Sequence, residues 1–253
     1  MLFYDANLSY GVPINVEEKP CLPCATLNEL EAALKRAGAA GGLVRTEAAD
    51  VAGAVTGNAL LAAALADAPA GLYGMYTLLP GYTREIPCPD ALPAVMKKGR
   101  FAALRLSPRA HQYLMKPEIM ADYFEMATER KIPVVLDTAC GLAISEAFDI
   151  MEAFPKMTAI LAIANSWPSD RYTRPFLARF PNLRMDLSYM FNAMGLEALT
   201  REYGAARFLY GSRFPAMYMG GMMLMLRHAG IPEEDKRLIA GENLLSMLRE
   251  ARI

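Results

Sequence analysis

A (β/α)8 TIM barrel, formed as one α/β domain over residues 1–253, is the fold that the sequence predicts. Three observations predict it. Eight short strand-like runs alternate with helix-like runs from end to end. Several of those runs, such as VVL and AILAI, are continuously apolar, as strands covered on both faces must be. The length of 253 residues suits one such barrel. An open doubly wound sheet is the alternative that the same alternation allows.

The strands fall in order at Leu2–Tyr4, Gly42–Arg45, Leu72–Leu78, Phe101–Leu106, Val134–Thr138, Ala159–Ile163, Leu183–Leu187 and Phe208–Tyr210. Helices fill the gaps. Leu27, Leu30, Leu34 and Ala37 recur at helical spacing, and Gly38 is placed to stop that helix. Asn58 precedes an Ala- and Leu-rich run ending near Asp67. Pro117 opens a helix whose stripe includes Ile119, Met120, Tyr123, Phe124 and Ala127, and Pro133 delivers the chain to the fifth strand. This alternation implies parallel strands joined by right-handed crossovers. The long loop Gly11–Ala25 and the Pro-rich stretch Pro80–Pro93 both follow strands, which places them at the C-terminal face where barrel active sites form.

Composition excludes some function classes. Charged residues make up 21% and the net charge is −1, with no basic block, so no nucleic-acid partner is expected. No apolar stretch is long enough to span a membrane. Four cysteines, with no cationic and apolar leader, point to a reduced, cytoplasmic setting. No phosphate-loop or dinucleotide fingerprint is present, and no cofactor is expected.

Several segments resemble the amidohydrolase-related family, which includes aminocarboxymuconate-semialdehyde decarboxylase. They are DANLSYG, Asn58 with its Ala-rich helix, RLSPRAHQYLMKPEIMADYFEMATERKIPVVLDTA, FPKMTAILAIAN, FPNLRMDLSYM, and FLYGSRFP followed by AGIPEEDKRLIAGENLLSMLREA. The resemblance covers most of the chain and implies a metal-dependent-hydrolase-like barrel. That family carries Asp-x-His-x-His on its first strand and Phe-Gly-Ser-Asp-x-Pro on its last. Here the first-strand histidines fall on Asn7 and Ser9, the fifth-strand histidine on Asp137, the sixth-strand histidine within a residue or two of Ile163, and the last-strand aspartate on Arg213. None keeps its ligand identity. With only two histidines in the chain, His111 and His228, a multi-histidine zinc site cannot be assembled. An oxygen-ligand site of Asp5, Asn7, Asp137 and Asp186 is the remaining metal option, and the fixed charge of Arg213 opposes it.

The expected chemistry is therefore metal-independent. Asp137 and Arg213 are read as a charge pair at the mouth, either a structural ion pair or a catalytic pair in which Arg213 binds an anion and Asp137 handles protons. Arg105, with Arg45, would add cations for a carboxylate or phosphate if it points inward, the plain alternative being solvated arginines. His111 is the candidate acid or base, against a surface-loop histidine. Asn7 and Ser9 would orient a substrate or water, while Asn165 and Trp167, after the sixth strand, would wall the pocket.

Other features have plain readings. Cys21-Leu-Pro-Cys24 lacks the further ligands zinc needs and reads as a loop feature, and Cys140 reads as a small buried thiol before a nucleophile. His228 suits the last turn of its helix. The run Met217–Leu226 is a buried helix or one covered by a partner subunit, as in a homodimer. The expected function is hydrolase or lyase action on a small carboxylated or carbonyl compound. The alternative is a non-catalytic barrel that binds a small anion or serves as a partner subunit.

Overall fold

The computed structural model describes residues 1–13, 23–164, 170–190, 192 and 194–253. Asn165, Trp167 and Cys21 lie outside the described residues. Eight parallel strands run in the order β1 to β8: Phe3–Tyr10, Ala39–Thr46, Leu72–Thr77, Phe101–Arg105, Val134–Asp137, Ala159–Ala162, Leu183–Asp186 and Phe208–Leu209. Ala6 N donates to Tyr210 O at 2.9 Å and Ser9 N donates to Phe214 O at 2.9 Å, which brings the last strand back to the first. The open doubly wound alternative is thereby set aside, and the fold is a nearly closed (β/α)8 barrel.

The helices are α1 Leu27–Ala37, α2 Ala48–Val51, α3 Ala54–Asp67, α4 Leu92–Lys98, α5 Pro108–His111, α6 Ala121–Arg130, α7 Ile144–Ala153, α8 Thr173–Arg179, α9 Gly195–Tyr203, α10 Met219–His228, α11 Glu233–Arg237 and α12 Asn243–Glu250. Helix α1 shows how local sequence sets these limits. Thr26 and Glu29 cap its start reciprocally, Leu30, Ala33 and Leu34 bury one face, and Gly38 ends it at φ 72°. Asn58 plays a different part from the one its position suggests, because α3 begins before it. From inside α3 its amide brackets the backbone of Thr77 on β3, donating to the carbonyl and accepting from the N–H, both at 2.9 Å. It ties the C-terminal end of β3 to its neighbouring helix.

Alternate residues of the strands fill the barrel interior or pack beneath the helices. Leu43, Met75, Ala103, Val135, Ile160 and Leu209 form one cluster with Leu244 and Met247 of α12. Leu8, Val44, Leu104, Leu136, Leu161 and Phe208 belong to the larger cluster shared with the outer helices. Among the described residues no helix is long and apolar enough to cross a membrane. In α10, Met219, Met222, Met223 and Leu226 are buried while Leu224 is exposed.

Candidate active site at the barrel mouth

Charged and polar side chains gather at the C-terminal ends of the strands, in two groups. The first lies where β1, β7 and β8 meet. Asp5 is fully buried on β1, and its Oδ1 accepts from the backbone N–H of Asn7 at 2.9 Å and of Ser212 at 3.0 Å. Its Oδ2 is buried with no hydrogen-bond partner. Asp186 ends β7. It accepts from the Asn7 side-chain amide at 2.7 Å, from Ser188 N at 3.0 Å and from the Ser188 hydroxyl. Asn7 Nδ2 also lies 3.1 Å from Ser188 Oγ.

Burial pushes the Asp5 carboxyl up to about 6; hydrogen bonds from Ser212 and Asn7 offset this only in part, and the charge of Asp186 adds to the rise. Asp186 is raised for the same first reason, with Ser188 and Asn7 opposing. Gly211 is what permits the close fit: a Cβ there would lie 2.0 Å from Asp186 Oδ1.

Arg213 follows two residues on, held at φ 60°, a backbone region that non-glycine residues rarely adopt. Its guanidinium lies 4.3 Å above the Tyr189 ring, a cation–π arrangement. Its Nη1 is buried without a hydrogen-bond partner among the described residues.

The second group lies across β2, β4 and β5. Arg105, 2% exposed, donates to Asp50 Oδ2 at 2.9 Å and to Cys140 Sγ at 3.3 Å. Arg45 pairs with Glu47 at 2.9 Å and approaches Asp50 at 3.9 Å. His111 Nε2 stands 3.9 Å from Asp50 Oδ1. Asp137 accepts from Ala139 N at 2.8 Å and from Cys140 Sγ at 3.5 Å. Burial, then the charge of Asp137, pushes the Cys140 thiol up to about 11, so it stays protonated at neutral pH and reads as a buried thiol.

These positions correct several expectations. Among the described residues no ion pair joins Asp137 to Arg213. The arginine lies on Tyr189, and Asp137 turns to Ala139 and Cys140. The arginines do not all converge: Arg45 and Arg105 share Asp50, while Arg213 stands with the other group. Arg105 is no solvated loop residue, and the His111 side chain is only 9% exposed. Asn7 and Ser9 do not present free groups, since Asn7 serves Asp186 and the Ser9 hydroxyl donates to Phe214 O at 3.4 Å. Sequence reasoning missed Asp50 and Glu47. The available signal was their place in TEAAD, directly past the end of β2 and beside Arg45.

A divalent ion does not fit the five mapped positions. Ile163 is packed in the apolar core, Arg213 supplies a fixed positive charge, and Asn7 and Ser9 are neutral groups that add no negative charge to hold an ion. Asp137 is the one carboxylate among the five. Among the described residues no three His, Cys, Asp or Glu side chains are grouped to hold a metal.

Neither a protein-family profile nor a curated protein sequence matches the chain. Solved structures do. A dihydroxybenzoic acid decarboxylase from Polaromonas sp. JS666, solved with bound manganese and the inhibitor 2-nitroresorcinol, superposes with TM-score 0.75 at 14% identity, covering 100% of this chain and 98% of that one. A 2,6-dihydroxybenzoate decarboxylase bound to 2,6-dihydroxybenzoate gives TM-score 0.73 at 13% identity over 98% and 100% of the two chains. The 5-carboxyvanillate decarboxylase of Sphingomonas paucimobilis gives 0.72 at 14% identity over 98% and 99%. An amidohydrolase 2 protein from Bifidobacterium longum subsp. infantis gives 0.68 at 16% identity over 98% and 99%. The chain therefore has the barrel fold of these amidohydrolase-type decarboxylases and hydrolases, along its whole length.

Proposed function

We propose that the mouth of this barrel binds a small carboxylated or carbonyl compound without a divalent cation, and that the chain acts on it as a metal-independent hydrolase or carbon–carbon lyase. The observation that carries this reading is the state of Arg213. A guanidinium stands in the segment after β8, braced on Tyr189, with Nη1 buried and unpartnered among the described residues. A desolvated N–H donor of this kind is costly unless an acceptor arrives, and a carboxylate is the acceptor whose geometry a guanidinium fits. The left-handed backbone at Arg213 is consistent with a position kept for function, because such conformations persist only where the surroundings enforce them.

Asp137 is the carboxylate best placed to move a proton. It ends β5, and its charge is felt by Asp186 of the first group and by Arg45 of the second. Asn165 and Trp167 remain candidate walls of the pocket. The decarboxylases with the same fold act, by their names, on aryl carboxylates, which makes that class the first to test.

One observation favours the non-catalytic alternative. The polar groups of Asn7, Asp186 and Ser188 satisfy one another and the Ser9 hydroxyl donates to Phe214 O, as in a site that no longer serves a reaction. Calorimetric titration with dihydroxybenzoates, vanillate-type acids and short keto acids, with chelator present, separates the readings. Binding that ignores the chelator and weakens about tenfold or more in Arg213→Met supports the proposal, since a charged hydrogen bond contributes about 1.5–3 kcal/mol. Binding that needs an added divalent ion, or that survives Arg213→Met unchanged, refutes it. Binding without turnover of any ligand selects the non-catalytic barrel.

A further inference from the structure

The second group at the mouth holds three buried polar atoms with no hydrogen-bond partner: Arg45 Nε, Asp50 Oδ1 and His111 Nε2. Two of them face each other, since His111 Nε2 lies 3.9 Å from Asp50 Oδ1 with both side chains about nine-tenths buried. Asp50 is held in place by Arg105, itself 2% exposed, through its other oxygen at 2.9 Å. The spacing is longer than a hydrogen bond and shorter than any gap that fits a water between the two atoms.

We propose that Arg105, Asp50 and His111 form a proton-accepting relay at the mouth, in which Asp50 fixes the His111 tautomer by receiving Nε2–H and leaves Nδ1 as the base for a hydroxyl-bearing ligand or a water. This rests on the reading of the mouth as a ligand site and adds to it a second proton-accepting group beside Asp137. The step balances simply: the ligand or water O–H bond breaks, an Nδ1–H bond forms, and the imidazolium charge is met by Asp50. The O–H electron pair stays on the oxygen. Asp50 is a positioning residue, and Arg105 positions Asp50.

The electrostatics agree. Burial alone would raise the Asp50 carboxyl, but the charges of Arg105 and Arg45 outweigh it and hold the group below its usual range, so it is an anion at neutral pH. His111 lies below the ordinary imidazole range, first through burial, with Arg105 adding to the fall and Asp50 and Glu85 opposing it. It is therefore unprotonated and able to accept at pH 7. A pair 3.9 Å apart that tightens on binding is ordinary for an acid–base dyad.

The chain has only two histidines, so both imidazoles can be resolved by nitrogen-15 NMR of the full chain, with His228→Gln assigning them. The expected result at pH 7 is a neutral His111 carrying its proton on Nε2. Asp50→Asn should blur that tautomer preference and lower the titration midpoint by about one pH unit, the size of shift a neighbouring carboxylate produces. A proton on Nδ1 in the parent protein, or an unchanged midpoint in a folded Asp50→Asn variant, overturns the relay. Should that variant fail to fold, the tautomer in the parent decides alone. No ligand is used, so failure here leaves the anion-binding role of Arg213 standing, and failure of that role leaves the relay testable.

Discussion

Replacing Asp5 by Asn changes how stability depends on pH, and the structure sets the size of the change. Asp5 titrates near 6 in the fold against 3.8 in its ordinary state, because it is fully buried with one oxygen unpartnered. A raised carboxyl pKa means that the folded protein binds the proton more tightly than the unfolded chain. The resulting stabilisation is complete below about 3.8 and is lost as pH rises through about 6. At about 1.4 kcal/mol per unit, the full effect is about 3 kcal/mol, and about 2 kcal/mol of it falls between pH 4.5 and 8.

Asn keeps the Oδ1 acceptor for the N–H groups of Asn7 and Ser212 and removes the titration. Any fixed cost of placing its amide at the unpartnered position cancels when one variant is compared with itself across pH. Thermal unfolding of parent and variant from pH 4.5 to 8 is the assay. The variant-minus-parent difference in Tm should move in the variant's favour by about 4–8 °C over that range, for a chain of this size. Parallel curves would show that Asp5 ionises in the ordinary range and that the burial argument is wrong.

Further outcomes follow from single contacts. Gly211→Ala should lose about 1–3 kcal/mol, since its Cβ would fall 2.0 Å from Asp186 Oδ1, whereas Gly220→Ala in α10, with open space around the added atom, should be neutral or stabilising by chemical denaturation. Asn58→Ala should cost about 2–4 kcal/mol by the same measurement, as it strips both hydrogen bonds from buried Thr77. Exhaustive chelation should leave Tm unchanged, with no stoichiometric divalent metal by elemental analysis; a mole of metal per chain lost together with Tm would contradict the donor set at the mouth.

Fold and site were legible to different depths. Each strand run overlaps an observed strand, because a strand buried on both faces must be apolar along its length, and that signal is local. The limits of α1 are also local, set by Thr26, Glu29 and Gly38. Asn58 marks the boundary of this legibility. Its presence near a helix is visible, but its grip on Thr77 is a contact across 19 positions that no spacing rule announces. The mouth is harder still. Asp137 ends β5 and Arg213 lies in the segment after β8, yet β6 and β7 stand between those strands, and Arg213, with its left-handed backbone, sets its side chain on Tyr189. Asp50 stayed hidden because its partners come from β2, β4 and α5, three separate parts of the sequence.

The division of the mouth follows from charge. Arg45 and Arg105 are matched by Glu47 and Asp50 within ion-pair distance, so the group on β2 and β4 is nearly self-compensated. On the other side Asp5 and Asp186 are buried carboxylates served by neutral donors, and among the described residues no ion pair joins them to a cation. A barrel that holds a divalent ion offsets such carboxylates with the ion. Here Asp5 rises to about 6, so protonation relieves its charge only as pH falls toward that value. Arg213 makes no ion pair among the described residues and lies over the Tyr189 ring, and on the proposed reading a ligand answers its charge. On the proposed reading, an arginine at the position matched to the family's last-strand aspartate suits the mouth to an anion held by a guanidinium.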